Sequence, residues 1–444
     1  MSIGNDKKTL NHFIEVSFKQ YGGSECFFAD IDGDGKFEII TYQGPGCYSV
    51  NNVLEGRDYI KPLLPESVSI SAFRFDGTRI WTWGKPNSQE RPYLSHAYES
   101  CVATGDIDGD GTIEIVIADG NRIIVLDGKT GKEKKSRSLP EDNYSIVQVV
   151  GEPTEKNEAA IVIKNGEYGY GKWRYGEPVL GLNTNLEIVW GPEAIPGGGH
   201  HILVMDLNGD GKKEYLIGYC AVDLKGEILW TADTIDVSLL NQKDDHVDYT
   251  DIIRRSDGAE LFAIAGSDKL YLVQEGGKTT FSVPGPHVQG SALGHFRSDS
   301  EFQVAIYNAP NGPMVLYDPS GRQIWYQATP RKWPLEMRQT CQRYAVSPFH
   351  RNRPIVTIPG KEQDWIGYAD GGWPWGMDGN GEITLEFQPT ENSPQPEYRH
   401  TVSAKVRNDD IGYGFALQSI DIDGDGEKEA VIYDRRFLWV YKID

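Results

Sequence analysis

Long apolar runs, helical periodicity and paired cysteines are all scarce in this 444-residue chain. No stretch approaches the roughly 18 consecutive apolar residues of a membrane-spanning helix, so the chain is not expected to work in a membrane. Apolar positions hardly ever recur at the three-and-four spacing of an amphipathic helix, which leaves strands as the main element. The five cysteines, Cys26, Cys47, Cys101, Cys220 and Cys341, are odd in number and never in CxxC spacing. That favours reduced, buried thiols over a disulfide frame or a zinc site. The start, Met1 to Lys8, has no apolar signal core, so the chain acts inside the cell or a leader has been removed. Basic charge is scarce too: the net charge is −21, which argues against nucleic acid or an anionic membrane as partner. No GxSxG elbow and no glycine-rich phosphate cradle is present.

What is plentiful is glycine (50), proline (24), tryptophan (11), tyrosine (23) and one acidic motif. Asp-Ile-Asp-Gly-Asp-Gly-x-x-Glu occupies Asp30–Glu38, Asp106–Glu114 and Asp421–Glu429, and Asp206–Glu214 repeats it with Leu207 and Asn208 substituted. Oxygen-bearing side chains at every second position, with glycines between, are what a hard cation such as Ca²⁺ requires. Calcium is therefore the expected cofactor. Its ligands would be Asp30, Asp32, Asp34 and Glu38; Asp106, Asp108, Asp110 and Glu114; Asp206, Asn208, Asp210 and Glu214; and Asp421, Asp423, Asp425 and Glu429. The closing Glu comes eight residues after the first Asp and runs into an apolar strand, such as Glu38-Ile39-Ile40. A helix–loop–helix calcium hand places it eleven after, so this loop should join two strands. Four similar copies point to a scaffold role.

The motif is part of a larger unit: strand, acidic loop or its remnant, strand, then a hairpin ending in an aromatic. Such hairpins include Phe73–Trp81, Leu182–Trp190, Val222–Trp230 and Leu316–Trp325. Asp-Gly or Gly between alternating apolar residues marks the turn, and the terminal Trp is expected to plug the seam between neighbouring units. Degenerate loops fill Ile146–Ile163, Asp251–Ala265, Ala292–Tyr307 and Tyr344–Ile358. Units of about 40–60 residues that close on themselves make an all-β propeller. Residues 1–444 are thus expected to form a single β-propeller domain of eight blades, with seven as the alternative count. The strand His12–Phe18 would complete the last blade and close the ring. Insertions are expected near 44–69, 165–179 and 363–398, with aromatics suited to stacking on sugar rings.

The histidines share a phase. His200 and His201 stand six and five residues before Asp206, His246 stands six before the matching position of its unit, and His287 eight before. Each precedes a unit's innermost strand, so these residues should converge on the axis of one face. His96, ten before Asp106, would reach the same mouth. Arg174, Arg343 and Lys172 are candidate cationic partners.

A Gly-His-His segment running into an Asp-x-Asn-Gly-Asp-Gly loop, then Ala221–Trp230 and His246-Val-Asp248, resembles the propeller of rhamnogalacturonan lyases. Related propeller lyases cut ulvan or release rhamnose from glucuronate. The extra β-sandwich domains many rhamnogalacturonan lyases carry are not expected within these 444 residues. The resemblance implies β-elimination on an acidic polysaccharide or oligosaccharide: a base removes the C5 proton of a uronate, its carboxylate is neutralised, and the 4-O-glycosidic bond breaks. His201 and His246 are the expected base and neutraliser, in either order. His200, His287, His96, Arg174 and Tyr170 complete the catalytic candidates. Tyr168, Trp173, Tyr175, Trp373, Trp375 and Arg343 are the substrate-binding candidates. The chain is expected to act as a monomer. Asp-Gly-Asp-Gly loops also occur in non-catalytic propellers such as the integrin α head, so a calcium-stabilised propeller that binds glycans or proteins is the alternative.

Overall fold

The computed structural model describes residues 7–23, 25–43, 68–86, 101–119, 121–140, 144–165, 176–195, 197–207, 210–236, 246–255, 258–285, 287–297, 302–308, 313–327, 355–369, 373–392, 416–434 and 436–443. Strands dominate it, and they fall into eight antiparallel blades, the first six hydrogen-bonded in chain order and the last two joined by strands from the start of the chain. Blade 1 is Glu25–Ala29, Glu38–Gln43, Ser69–Phe73 and Arg79–Gly84. Blade 2 is Val102–Gly105, Glu114–Asp119, Arg122–Asp127 and Glu133–Ser138. Blades 3 to 6 begin at Tyr144, Ile202, Val247 and Val288, and blade 7 at Ile355. The fold is the expected eight-bladed propeller, and the count of seven does not hold.

Why these segments are strands follows from their composition. Second and third strands such as Glu114–Asp119 and Arg122–Asp127 are runs of Ile, Val and Leu, buried on both faces because blades stack on both sides. Outer strands such as Glu133–Ser138 are polar and mostly exposed, as a sheet edge should be. Neighbouring blades share their apolar faces: Ile40 and Ile70 of blade 1 join Val116 and Ile124 of blade 2 in one core cluster. Each such side chain contributes about 1.5–3 kcal/mol on burial.

The aromatic hairpin ends bridge the seams as expected. Trp81 of blade 1 donates its indole N–H to Gly128 O of blade 2 at 2.8 Å. Trp190 does the same to Leu224 O at 2.9 Å, and Trp325 to Gly379 O at 3.0 Å. At these three seams a polar handle fixes the stagger of two otherwise greasy faces.

The N-terminus closes the ring. His12–Ser17 pairs antiparallel with Phe437–Tyr441, completing blade 8, whose other strands are Ala416–Ile420 and Glu429–Tyr433. Ahead of it Lys8–Leu10 adds a fifth, parallel strand to blade 7 against Ile383–Phe387. The chain start therefore crosses the seam between blades 7 and 8.

Two sequence expectations are corrected here. Much of 363–398 is not an inserted loop: Trp365–Tyr368, Trp375–Met377 and Ile383–Phe387 are strands of blade 7. Trp375 is buried and stacks on Tyr368 at 4.9 Å. Trp373 donates to Phe387 O at 2.8 Å and packs edge-on against Trp439. Both tryptophans serve the core and the seam; Trp375 is too buried to meet a substrate, whereas Trp373 keeps part of its ring exposed. Residues 44–67 and 166–175 lie outside the described residues.

Antiparallel pairing sorts the connections between two faces. Loops joining the first to the second strand, and the third to the fourth, lie at one end of every blade. Starts of first strands and second-to-third loops lie at the other. The acidic loops thus occupy one face and the histidines preceding blades 4, 5 and 6 occupy the opposite one.

Candidate functional site

On the histidine face three successive blades meet at one carboxylate. Asp248, the second residue of blade 5's inner strand, has a side chain only 1% exposed. His200 Nε2, from the approach to blade 4, lies 3.5 Å from its Oδ1, and His246 Nε2 lies 3.7 Å away. His287 Nε2, from the approach to blade 6, lies 3.4 Å from Oδ2. Gln289 donates to Oδ1 at 2.7 Å from blade 6's inner strand. The rings pack edge-on, His200 to His246 at 5.1 Å and His246 to His287 at 5.9 Å.

The local backbone is built to place them. Gly199 has φ of +61°, and a Cβ there would fall 1.8 Å from Val247 O. Only glycine allows this approach, which lets His200 N donate to Val247 O at 3.0 Å. Lys164 of blade 3, fully buried, donates to Asn165 O at 3.1 Å and also to Gly199 O. It ties the His200 segment to the preceding blade. His246 Nδ1 shares a 3.0 Å hydrogen bond with Ser267 Oγ, which orients the ring. His287 holds a non-glycine φ of +119°, a costly conformation of the kind kept at working sites. With 38% of its side chain exposed it reaches solvent most freely of the three.

Electrostatics follow from burial. Desolvation alone would raise the Asp248 carboxyl, but the attraction of His246 and His287 outweighs it and holds the group far below the ordinary carboxylate range. The cluster thus keeps an anion in the interior by surrounding it with imidazoles. His200, His246 and Asp248 also each offer a ligand atom within 4.8 Å of the others, a spacing that could hold a metal ion.

The expected convergence of His200 or His201 with His246 and His287 is what the chain shows, and His200 is the partner. His201 faces the other way, edge-on to Tyr249 at 5.5 Å, beside a pocket of about 120 Å³ lined by Ile202, Leu216 and Val247. The structure therefore separates His201 from the cluster in which it was expected. Asp248, Gln289 and Ser267 were not singled out, although Asp248 stood in the quoted His246-Val-Asp248 segment. His96, Tyr168, Tyr170, Lys172, Trp173, Arg174, Tyr175 and Arg343 lie outside the described residues.

On the opposite face the acidic loops are wound by their own first Asp. In blade 1 the amides of Gly33, Asp34 and Gly35 donate to Asp30 at 2.8–3.0 Å, and Ile31 N donates to Glu38 Oε2. The two glycine bonds and the bond to the closing Glu recur around Asp106 and Glu114, and around Asp421 and Glu429. Asp206 and Glu214 keep them at Gly211 and Leu207, while Asn208 lies outside the described residues. Burial, opposed by the Ile31 amide and reinforced by Asp32, Asp34 and Asp30, pushes Glu38 up to about 7. Asp32 Oδ1 and Asp108 Oδ1 are buried with no hydrogen-bond partner. Crowded carboxylates with orphaned oxygens are a donor set that fits a divalent cation. Ligand atoms of Asp30, Asp32 and Glu38 lie within 4.8 Å of one another, as do those of Asp106, Asp108 and Glu114, and of Asp421, Asp423 and Asp425.

No protein-family model matches the chain. Over 262 residues it is 24% identical to the rhamnogalacturonan endolyase YesW of Bacillus subtilis, covering 48% of this chain and 40% of that protein. Over 265 residues it is 26% identical to the rhamnogalacturonan exolyase YesX of the same organism, with the same coverage. The matched stretch spans less than half the length of these curated relatives. In structure, the exotype rhamnogalacturonan lyase YesX superposes with a TM-score of 0.60 at 18% identity, over 95% of this chain and 72% of that one. The Bacillus licheniformis rhamnogalacturonan lyase PL11 gives 0.56 at 17% identity, over 95% and 71%. The chain resembles the rhamnogalacturonan lyases in sequence over about half its length and in fold over nearly all of it.

Proposed function

We propose that this protein is a polysaccharide lyase that cleaves a uronate-containing glycan of the rhamnose–uronate type by β-elimination, on the face where His200, His246 and His287 surround Asp248. The observation that carries the reading is this convergence of three imidazoles from three blades on one buried carboxylate. Likeness to rhamnogalacturonan lyases points to the same chemistry.

Elimination needs a base for the C5 proton and positive charge or dense donors for the carboxylate as negative charge develops on it. Burying a carboxylate such as Asp248 is costly unless donors or charge stand beside it, and the three imidazoles and Gln289 are the groups that do so here. His287, the most exposed ring, is placed to touch substrate and take the proton. His246, fixed by Ser267 and Asp248, is placed to present charge towards the uronate. His200, only 2% exposed, positions the other two. This replaces His201 with His287 in the expected pair.

A second reading has a specific observation behind it. The Nε2 to carboxylate distances of 3.4–3.7 Å exceed ordinary hydrogen bonds, yet the ligand atoms are close enough to share an ion. His200, His246 and Asp248 would then hold a divalent cation, which would neutralise the uronate carboxylate. We also read the four acidic loops as structural Ca²⁺ sites, each tying the first two strands of its blade.

The test is the ultraviolet absorbance of an unsaturated uronate product when the protein meets rhamnogalacturonan and other acidic polysaccharides. His287→Ala and His246→Ala should fold normally and lose product formation. Binding without product on every substrate would favour the non-catalytic, glycan-binding alternative instead.

A further inference from the structure

The four acidic loops share a sequence, but one of them contains a cation of its own. In blade 2, Lys134 Nζ lies 2.6 Å from Glu114 Oε1, 3.4 Å from Asp108 Oδ2 and 3.7 Å from Asp110 Oδ2. Those are three of the side chains that would ligate an ion. Glu114 is fully buried, so its charge meets the ammonium away from water. Blade 1 has no such occupant among the described residues. Its nearby cation, Arg74, is half exposed and pairs with one of the loop's side chains, Asp32 Oδ2 at 2.8 Å. In blade 8, Lys442 stands at 3.9 Å from Asp423 alone.

The backbone explains how the lysine gets there. Blade 2's outer strand pairs Glu133 with Leu126 and Lys135 with Val125, so Lys134 is the extra residue of a β-bulge. A bulge re-aims one side chain, here towards the loop. The matching hairpins bulge at the same place: Arg79 and Trp81 flank Ile80 in blade 1, and Ile228 and Trp230 flank Leu229 in blade 4. In blade 8, His12 and Ile14 flank Phe13. The bulge residue is apolar in those three and a lysine only in blade 2.

We propose that Lys134 is the resident cation of the blade 2 loop, so that a divalent cation such as Ca²⁺ enters this site only by displacing a side chain of the same chain. The idea rests on reading the other loops as Ca²⁺ sites. One ammonium satisfies Glu114 but leaves Asp108 Oδ1 buried without a hydrogen-bond donor. The lysine is thus a partial substitute, and a divalent ion with six or more oxygen ligands completes the set better. The apparent affinity of such a site falls by the fraction of time the lysine is out. Blade 2 then stays braced at low calcium while blades 1 and 8 do not.

Calorimetric titration of Ca²⁺ into the parent chain and into Lys134→Met tests this, methionine keeping the length of the stem without the charge. Expected is one site that binds at least ~10-fold tighter in the variant, the others unchanged. Equal isotherms with clear binding in both would overturn the inference and leave the calcium reading intact. No binding in either would overturn both. Should the variant not fold, hydrogen exchange on the parent chain decides. In chelator the amides of Gly109 and Gly111 should stay protected while those of Gly33 and Gly35 lose protection. Equal loss at the two loops would overturn the proposal.

Discussion

The two faces of the ring are built on opposite principles. On one, the same loop is written again and again, with the same Asp winding the same glycine amides in blades 1, 2 and 8. On the other, four successive blades contribute to a single cluster: blade 3 sends Lys164, blade 4 is led by His200, blade 5 gives His246 and Asp248, and blade 6 gives His287 and Gln289. A feature written into four of the eight units is one that a single unit can use by itself, namely a brace between its strands. A feature assembled once from unlike contributions has no use to a single unit. That is the ground for the proposal that it is a site.

Four measurements can break or sharpen that contrast. The largest effect is expected at His246→Ala, which should cut product formation about a thousandfold or more, the scale of a lost acid–base or charge-stabilising group. Its melting temperature should match the parent's. A variant that melts early would move His246 from the site to the scaffold. Next comes Trp375→Ala. Deleting this buried ring should cost about 3–5 kcal/mol of stability by denaturant melt, with KM unchanged in whatever folds. A raised KM at full stability would return Trp375 to the substrate.

Third, chelation should lower the melting temperature, and Glu38→Gln should remove most of blade 1's share. Saturation at a hundred times Kd is worth about 2.7 kcal/mol per site. Turnover lost at unchanged stability would mean that the repeated face also carries chemistry. The smallest effect concerns a blade without the motif. In blade 3, Glu158 accepts from the hydroxyl and amide of Thr154, the amide of Glu155 and, at 3.2 Å, Lys212 of the next loop. Burial works to raise its carboxyl, but these donors outweigh it and hold it at about 2, below the ordinary 4.5. A depressed carboxylate stabilises the fold above its unfolded value, so this contribution is complete above pH 4.5 and fades as pH falls towards 2. Glu158→Gln should cost about 2 kcal/mol at neutral pH and flatten the acid limb of the stability curve. An unchanged limb would show that the degenerate loops brace nothing.

The ring, its closure and the meeting of histidines were legible because each depends on a repeat that can be counted along the chain. The faults lie where counting is too coarse. His200 and His201 differ by one position, and neighbouring residues of an extended segment point opposite ways. The choice depends on Gly199 docking against Val247 O, a contact between blades. Trp375 read as loop because Gly371-Gly-Trp-Pro-Trp-Gly376 is dense in turn residues, yet a strand of three residues needs little propensity when its neighbours supply every bond. Asp248 was invisible as a centre, since a lone acid inside a strand carries no spacing. Lys8–Leu10 is too short for any pattern.

The closure by His12–Ser17 also sets a timetable. Trp439 donates to Glu15 across 424 positions, so as the chain emerges the strand His12–Ser17 must wait for a partner made long after it. Until then blade 8 is without its outer strand, and loop-closure entropy opposes the final pairing. Three strands, Ala416–Ile420, Glu429–Tyr433 and Phe437–Tyr441, can assemble first, with Asp421 winding the turn between two of them. They form a prepared berth for the strand made long before them. Synthesis that halts short of Phe437 would leave a seven-bladed arc with an open gap, its sheet edges available to other chains.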